Sequence, residues 1–405
     1  MSIVKKIHES ELFGIIVEVG CSTSLASDLM AVNGSSNTIY KCEQPYNKEY
    51  QTYKYGEFKR SVSKEWAEKV IDVEYQNYLN ENYTNKKEIN FIFTSSWQLF
   101  DPNNSLAYAH GWFGLFDIKQ NKKMFFHFSF DRNINHKYEQ LNGINHHYNT
   151  DDDMDRKFLI SHIGNLSTKL LNGLLTNNFN NLSDPLVILD MAYDGNTINY
   201  ELLINNLENS EIDYFLVFDR NGIIRIEDLM RQSEEFIIYK GSFEILHYGH
   251  INVMKNALQK YQNAKGAFLI GSYRYDKPHL STNEIMDRVN QIIKQGFPVI
   301  ICKSILFYDT FDLLKEWSYS KKFYFPIGLD TINRIYKTDI DNDVEINKII
   351  HKYKNNFKFL LFNRLNYDRI AETFTYNDII DTIDNVDDGI SSTAIKNGTM
   401  KNLLK

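Results

Sequence analysis

The chain has 405 residues, more than one ordinary core holds, and its 43% hydrophobic and 24% charged content is that of globular proteins, so two domains are expected. A formal net charge of −7 leaves no broad basic footprint for duplex nucleic acid, although a pocket on an acidic protein can still be locally positive toward small anions. Three cysteines (Cys21, Cys42 and Cys302) without metal-type spacing argue against a disulfide framework or zinc site and fit a reducing, cytoplasmic setting; there is no signal-peptide pattern, and no apolar run nears the roughly 20 residues of a membrane span.

In chain order, apolar patterning predicts a buried strand at 12–20 and a helix at 24–32. Strands follow at 38–42, 90–95, 110–117 and 123–130, and helices at 64–80 and 156–175. This alternation predicts a first α/β domain over 1–180. The polar connection at 131–155 ends in NTDDDMD, an acidic run that reads as a solvated loop, as does the pair His146 and His147. Residues 181–234 read as a bridge or small subdomain. There LVILDMAYDG and DYFLVFDRNG each resemble a strand running into a turn, and DRNG can close a hairpin.

From 235 the pattern is regular, giving a second domain over 235–405. EFIIYKG, AFLIGS, PVIICKS and KKFYFPIGLD read as strands, and the segments between them as helices. Such repeated strand–helix–strand units build a parallel sheet covered on both faces, and ligands bind beyond the carboxyl ends of its strands. The first of these strands leads into GSFEILHYGH, residues 241–250. Gly241 lets the chain turn, Ile251, Met254, Leu258 and Tyr261 follow at helical spacing, and His247 and His250 fall at the start of that helix, three apart on one face. The N–H groups there favour an anion, and two imidazoles suit a phosphate that gains charge during reaction. Gly249, without a side chain, leaves room for a nucleotide against the backbone. Surface or capping histidines are the blander account.

GSFEILHYGH resembles the Gly-x-Phe-x-x-x-His-x-Gly-His signature of the nucleotidylyltransferase superfamily. FLIGSYRYDKP and PIGLDT resemble segments of its nicotinamide/nicotinate mononucleotide adenylyltransferases, and GISSTAIK resembles its late Ile-Ser-Ser-Thr-x-Ile-Arg motif. The resemblance spans about 235–400. It implies a Rossmann-like fold and transfer of AMP from ATP, or of another nucleotidyl group, to a phosphorylated acceptor, with pyrophosphate leaving and Mg²⁺ assisting. A pyridine mononucleotide as acceptor would place the chain in NAD synthesis or salvage. Carried over, His247, His250 and Lys396 would serve catalysis. Gly241, Ser242, Phe243, Gly249, Asp330, Ser391, Ser392 and Thr393 would bind nucleotide. Lys396 stands where the superfamily has arginine, keeping the charge but losing the fork. Lys277 is a further phosphate candidate. Arg288 is another, although its helix position reads as a polar side that favours a surface ion pair. Cytidylyl transfer to a different phosphorylated acceptor and a non-catalytic nucleotide sensor remain the alternatives.

In the first domain, EVGCSTSLASDLMAVNGSSNTIY followed by PYNKEYQ resembles the nicotinamide-nucleotide amidase family, the CinA C-terminal domain. The family's serine nucleophile falls on Val19 and its lysine on Gln51, while its tyrosine is kept as Tyr46; a slip in register would bring Ser22 or Ser24 into play. Valine cannot attack a carbonyl and glutamine is no base, so the fold is expected without the hydrolysis. Nucleotide binding, regulation of the second domain and a homo-oligomer interface are the roles left to it. Small-molecule nucleotides are the expected partners, with no duplex nucleic acid, no membrane and no metal bound by the protein alone.

Overall fold

A computed structural model describes residues 2–20, 24–82, 87–98, 109–130, 153–180, 182, 184, 186–210, 213–272, 279–303, 306–317, 321–328, 331–332, 353–362, 379–383 and 395–397, with the side chains of 153–158 and 315–317 excluded. The chain divides into two compact units, Met1–Ile212 and Asp213–Lys405.

The first unit contains the strands β1 (Gly14–Gly20), β2 (Ile39–Glu43), β3 (Phe91–Gln98), β4 (His110–Asp117), β5 (Lys122–Phe130), β6 (Val187–Asp194) and β7 (Thr197–Ile198). They form one sheet in the order β2-β1-β3-β4-β5-β6-β7; β1 runs parallel to β2 and β3, and the pairs from β3 to β7 are antiparallel. Its helices are α1 (Ile3–His8), α2 (Ser24–Met30), α3 (Lys48–Tyr55), α4 (Lys64–Asn80), α5 (Asp153–Thr176) and α6 (Tyr200–Asn209). The start of α4 is set by Ser63, whose Oγ accepts the Trp66 N–H at 3.1 Å. Its apolar residues at helical spacing, Trp66, Ala67, Val70 and Ile71, lie over β3 and β4 in one cluster with Ile92, Phe116 and the β1 residues Ile15, Val17 and Val19. Elsewhere in the unit α5 runs close to α2: a Cβ on Gly164 would fall 2.6 Å from Asp28 Oδ2 and 2.8 Å from Ser24 Oγ, so a side chain there would force those two to shift.

The second unit contains β8 (Leu216–Asp219), β9 (Gly222–Ile224), β10 (Glu235–Lys240), β11 (Lys265–Gly271), β12 (Val299–Cys302), β13 (Lys322–Gly328), β14 (Phe357–Phe362) and β15 (Ile380–Ile383). The order is β15-β14-β13-β10-β11-β12-β8-β9. From β10 to β15 all pairs are parallel, while β8 pairs antiparallel with β12 and β9 folds back on β8. Helices α7 (Ile226–Met230), α8 (Tyr248–Lys260), α9 (Thr282–Lys294) and α10 (Phe307–Trp317) complete its described elements. Phe236, Ile238, Leu269, Ile300 and Phe325 form the inner layer, and Phe311 and Leu314 of α10 close over it. Burying each such side chain contributes about 1.5–3 kcal/mol relative to leaving it in water.

The two-sheet α/β architecture is the one expected, Rossmann-like in the second unit. The segment 181–234, expected as a bridge or small subdomain, is shared between the units: β6, β7 and α6 belong to the first, β8, β9 and α7 to the second, and the contact boundary falls at 212/213. DRNG does close a hairpin: the Asn221 N–H bonds Asp219 Oδ1 at 2.7 Å, and Gly222 takes φ +113, a left-handed conformation suited to glycine.

Candidate active site

In the second sheet the chain leaves β10 for β11 and β12 on one side, then returns to β13 and β14 on the other. The carboxyl end of β10 is therefore a topological switch point, where α/β sheets open a crevice for ligands. The loop leaving that end is Gly241–Leu246, and α8 follows with His247 as its N-cap. The sequence-predicted glycine, aromatic and histidine pair thus come together at one place.

The loop is shaped by Phe243. Its ring is buried, edge-on to Tyr239, Phe268 and His250 at centroid distances of 5.2, 5.0 and 5.2 Å. The cost of that placement appears in the backbone: Phe243 has φ +46, unusual for a bulky residue. Gly241 is needed for a different reason from the turn expected of it. A Cβ there would sit 2.7 Å from the tip of the Phe243 ring.

His247 is buried, with 4% of its surface exposed. The two imidazoles stack, centroids 3.7 Å apart and planes 25° from parallel. His250 Nδ1 accepts the His247 backbone N–H at a long 3.4 Å. That bond assigns the ring proton of a neutral His250 to Nε2. Gly249 is buried in the first turn of α8, and no acidic residue occupies that turn. Ile251, Val253, Met254 and Ala257 bury the helix's other side.

Lys396 comes to the same loop. Its Nζ donates to Glu244 Oε1 at 2.5 Å, with the side chains 62% and 45% exposed. Lys396 and the histidine loop therefore meet at one end of the sheet. Ser391, Ser392, Thr393, Asp330 and Lys277 lie outside the described residues. Arg288 corrects its expectation. It is not on a solvated face but only 3% exposed, and its Nη1 donates to Ser242 O at 2.8 Å and Ser242 Oγ at 3.0 Å. The reason is local: α9 turns this residue under the loop, where the guanidinium meets a backbone carbonyl. Also at this strand end, Lys240 Nζ donates to Leu306 O and Thr310 Oγ1 at 2.8 and 2.6 Å.

In the first unit, Val19 packs in the apolar cluster beneath α4. Gln51 is buried and its Nε2 donates to Tyr46 O at 3.2 Å, whereas the Tyr46 side chain is 71% exposed. Ser24 is the buried first residue of α2, and Ser22, His146 and His147 lie outside the described residues. A set the sequence did not single out crosses three strands. His110 Nδ1 lies 3.0 Å from His127 Nε2, and His127 Nδ1 lies 3.0 Å from Asp190 Oδ2, the last a contact without the alignment of a full hydrogen bond. A bulge between His127 and Phe128 lets Asp190 reach this set. Burial first, then the charges of His127 and Arg60, push the His110 imidazole down to about 3.

Among the described residues no three or more His, Cys, Asp or Glu side chains are grouped to hold a metal, and no helix is long and apolar enough to cross a membrane. Residues 238–398 match the family described as Cytidylyltransferase-like. No curated protein matches the chain. Solved structures similar to it include the competence/damage-inducible protein CihA of Agrobacterium tumefaciens, 14% identical over 43% of this chain and 90% of that one, with a TM-score of 0.27. A competence-damaged protein (CinA) superfamily protein of Klebsiella pneumoniae is 8% identical over 43% and 94%, with a TM-score of 0.29. The nicotinic acid mononucleotide adenylyltransferase of Plasmodium falciparum, complexed with NaAD, is 21% identical over 40% and 82%, with a TM-score of 0.30. The stretch of the second unit that is similar to the cytidylyltransferase-like family includes the β10–α8 loop with its two stacked histidines.

Proposed function

We propose that the second unit transfers AMP from ATP to a pyridine mononucleotide, releasing pyrophosphate and forming a dinucleotide. The observation that carries this reading is the meeting of Lys396 with the histidine loop at the switch point of the sheet. In the step itself an acceptor phosphate oxygen bonds to the α-phosphorus while the bond to the bridging oxygen breaks, and pyrophosphate leaves with that electron pair. Little covalent work falls to the protein; positioning and charge stabilisation do most of it. His250 would donate Nε2–H to a phosphate oxygen, the first turn of α8 would offer backbone N–H groups, and Lys396 would exchange Glu244 for the departing pyrophosphate. Gly241, Ser242, Phe243 and Gly249 would line the nucleotide, with Asp330, Ser391, Ser392, Thr393 and Lys277 completing the set. The described residues do not form a cage for Mg²⁺, and each of these roles belongs to a group of the chain itself.

Cytidylyl transfer to another phosphorylated acceptor is the second reading, favoured by the description of the matching family. A panel of nucleoside triphosphates against pyridine mononucleotides and phosphoalcohols, read as pyrophosphate release, separates the two. ATP with a pyridine mononucleotide is expected to be the most productive pair. CTP with a phosphoalcohol as the best pair would replace the reading, and no release from any pair, with binding retained in calorimetry, would make the unit a nucleotide sensor. In the first unit, Val19 and Gln51 are proposed to leave a CinA-like fold without amidase activity.

A further inference from the structure

The histidine loop is tied to one helix at both of its ends. Arg288 Nη1 donates to the carbonyl and hydroxyl of Ser242, at the start of the loop. Gln291 Oε1 accepts the backbone N–H of Leu246, the residue before His247, at 3.1 Å. Residues 288 and 291 are three apart, so both bonds come from one face of α9. The amide of Gln291 is itself oriented, since its Nε2 donates to Asp287 O at 3.3 Å.

The helix is a firm base for this hold. Ser281 caps it, exchanging bonds with Glu284: the Ser281 N–H donates to Glu284 Oε2 at 2.8 Å and the Glu284 N–H to Ser281 Oγ at 3.3 Å. Ile285, Val289 and Ile292 bury its apolar stripe. Between the two tied residues lies Phe243, whose left-handed backbone is unfavourable for an aromatic residue and persists only where its surroundings over-determine it. The ties at Ser242 and Leu246 bracket it and act on the backbone that delivers His247 and His250.

We infer that Arg288 and Gln291 are positioning residues for nucleotidyl transfer, holding the Ser242–Leu246 backbone from α9 so that the two histidines are set for the triphosphate. This rests on the function proposed above. Neither residue touches the reacting atoms; both act through the loop.

The test compares Arg288→Met, Arg288→Lys, Gln291→Leu and Gln291→Glu in the full chain, with amide hydrogen exchange over 241–250 and pyrophosphate release as readouts. Arg288→Met and Gln291→Leu are expected to speed exchange in the loop. They should lower kcat by ~10–10²-fold, as displacement of catalytic groups does, with KM for the triphosphate within about threefold. Arg288→Lys keeps the charge without the fork and should recover only part of kcat. Gln291→Glu keeps an acceptor for the Leu246 N–H and should restore both readouts. Unchanged exchange and kcat in Gln291→Leu would overturn the inference. So would a raised KM at constant kcat in Arg288→Met, which would make Arg288 a direct ligand of substrate. Should Arg288→Met fail to fold, the Gln291 pair decides. If the wild-type chain releases no pyrophosphate with any substrate pair, the functional reading falls, while loop exchange still decides whether the hold exists.

Discussion

The two units treat the same structural opportunity differently. Each sheet has a central parallel strand where the strand order reverses, β1 in the first and β10 in the second, and a helix lies downstream of each strand. In the first unit the Leu25 and Ala26 N–H groups at the start of α2 bond the two carboxyl oxygens of Glu18, on β1 itself, at 3.1 and 3.2 Å. In the second, α8 begins at His247 with no acid in its first turn, and the one acid of its loop, Glu244, is engaged with Lys396. One helix start is met by a carboxyl group of the preceding strand; in the other the N-cap N–H is met by the His250 ring within a histidine capping box that contains no acid. A helix start thus reads as a binding feature only after its internal partners have been counted.

The largest expected effect comes from His250. Replacing it with alanine should lower pyrophosphate release by ~10²–10³-fold, as loss of a transition-state donor does. Full turnover in that variant would erase the distinction between the two helix starts. An intermediate effect belongs to Glu18. Burial raises its carboxyl from 4.5 to about 8, outweighing the Ala26 and Leu25 N–H groups that favour the anion. The folded chain therefore keeps a proton that the unfolded chain has lost. This contribution is fully present below about 4.5 and is lost as pH rises toward about 8. Against wild type, the relative Tm of Glu18→Gln should rise across that window in thermal melts. A pH-independent Tm difference would show that Glu18 is not the group responsible. The smallest effect on stability should come from Lys396→Ala. Its pair with Glu244 is exposed, and such pairs contribute ~0–1 kcal/mol. Its KM for the triphosphate should nevertheless rise, which separates a ligand role from a merely structural one.

The route from β10 through the loop to α8 was legible because its information is contiguous: a buried strand, a glycine, an aromatic residue, two histidines and a 3.6-residue apolar period. Arg288 was not, because a charged residue in an amphipathic helix reads as solvated until the loop carbonyl above it is known. His110, His127 and Asp190 share no sequence spacing; antiparallel pairing and one bulge assemble them. How the segment 181–234 divides between the units was not legible for a related reason. Its turns were readable, but whether β6 and β8 join the same sheet is a tertiary choice that local patterning does not contain. In the first unit, Val19 and Gln51 are visible in the sequence itself at the positions where the family it resembles has its serine and lysine.

Glu244 and Lys396 are 152 residues apart in the chain. Joining ends so distant costs an unfolded polypeptide entropy that only an assembled sheet can offset. The corner where Glu244 and Lys396 meet is therefore expected to be among the last parts of the second unit to come together. Nucleotide added during refolding has no early template to grip; it should slow unfolding of the finished protein more than it hastens its formation.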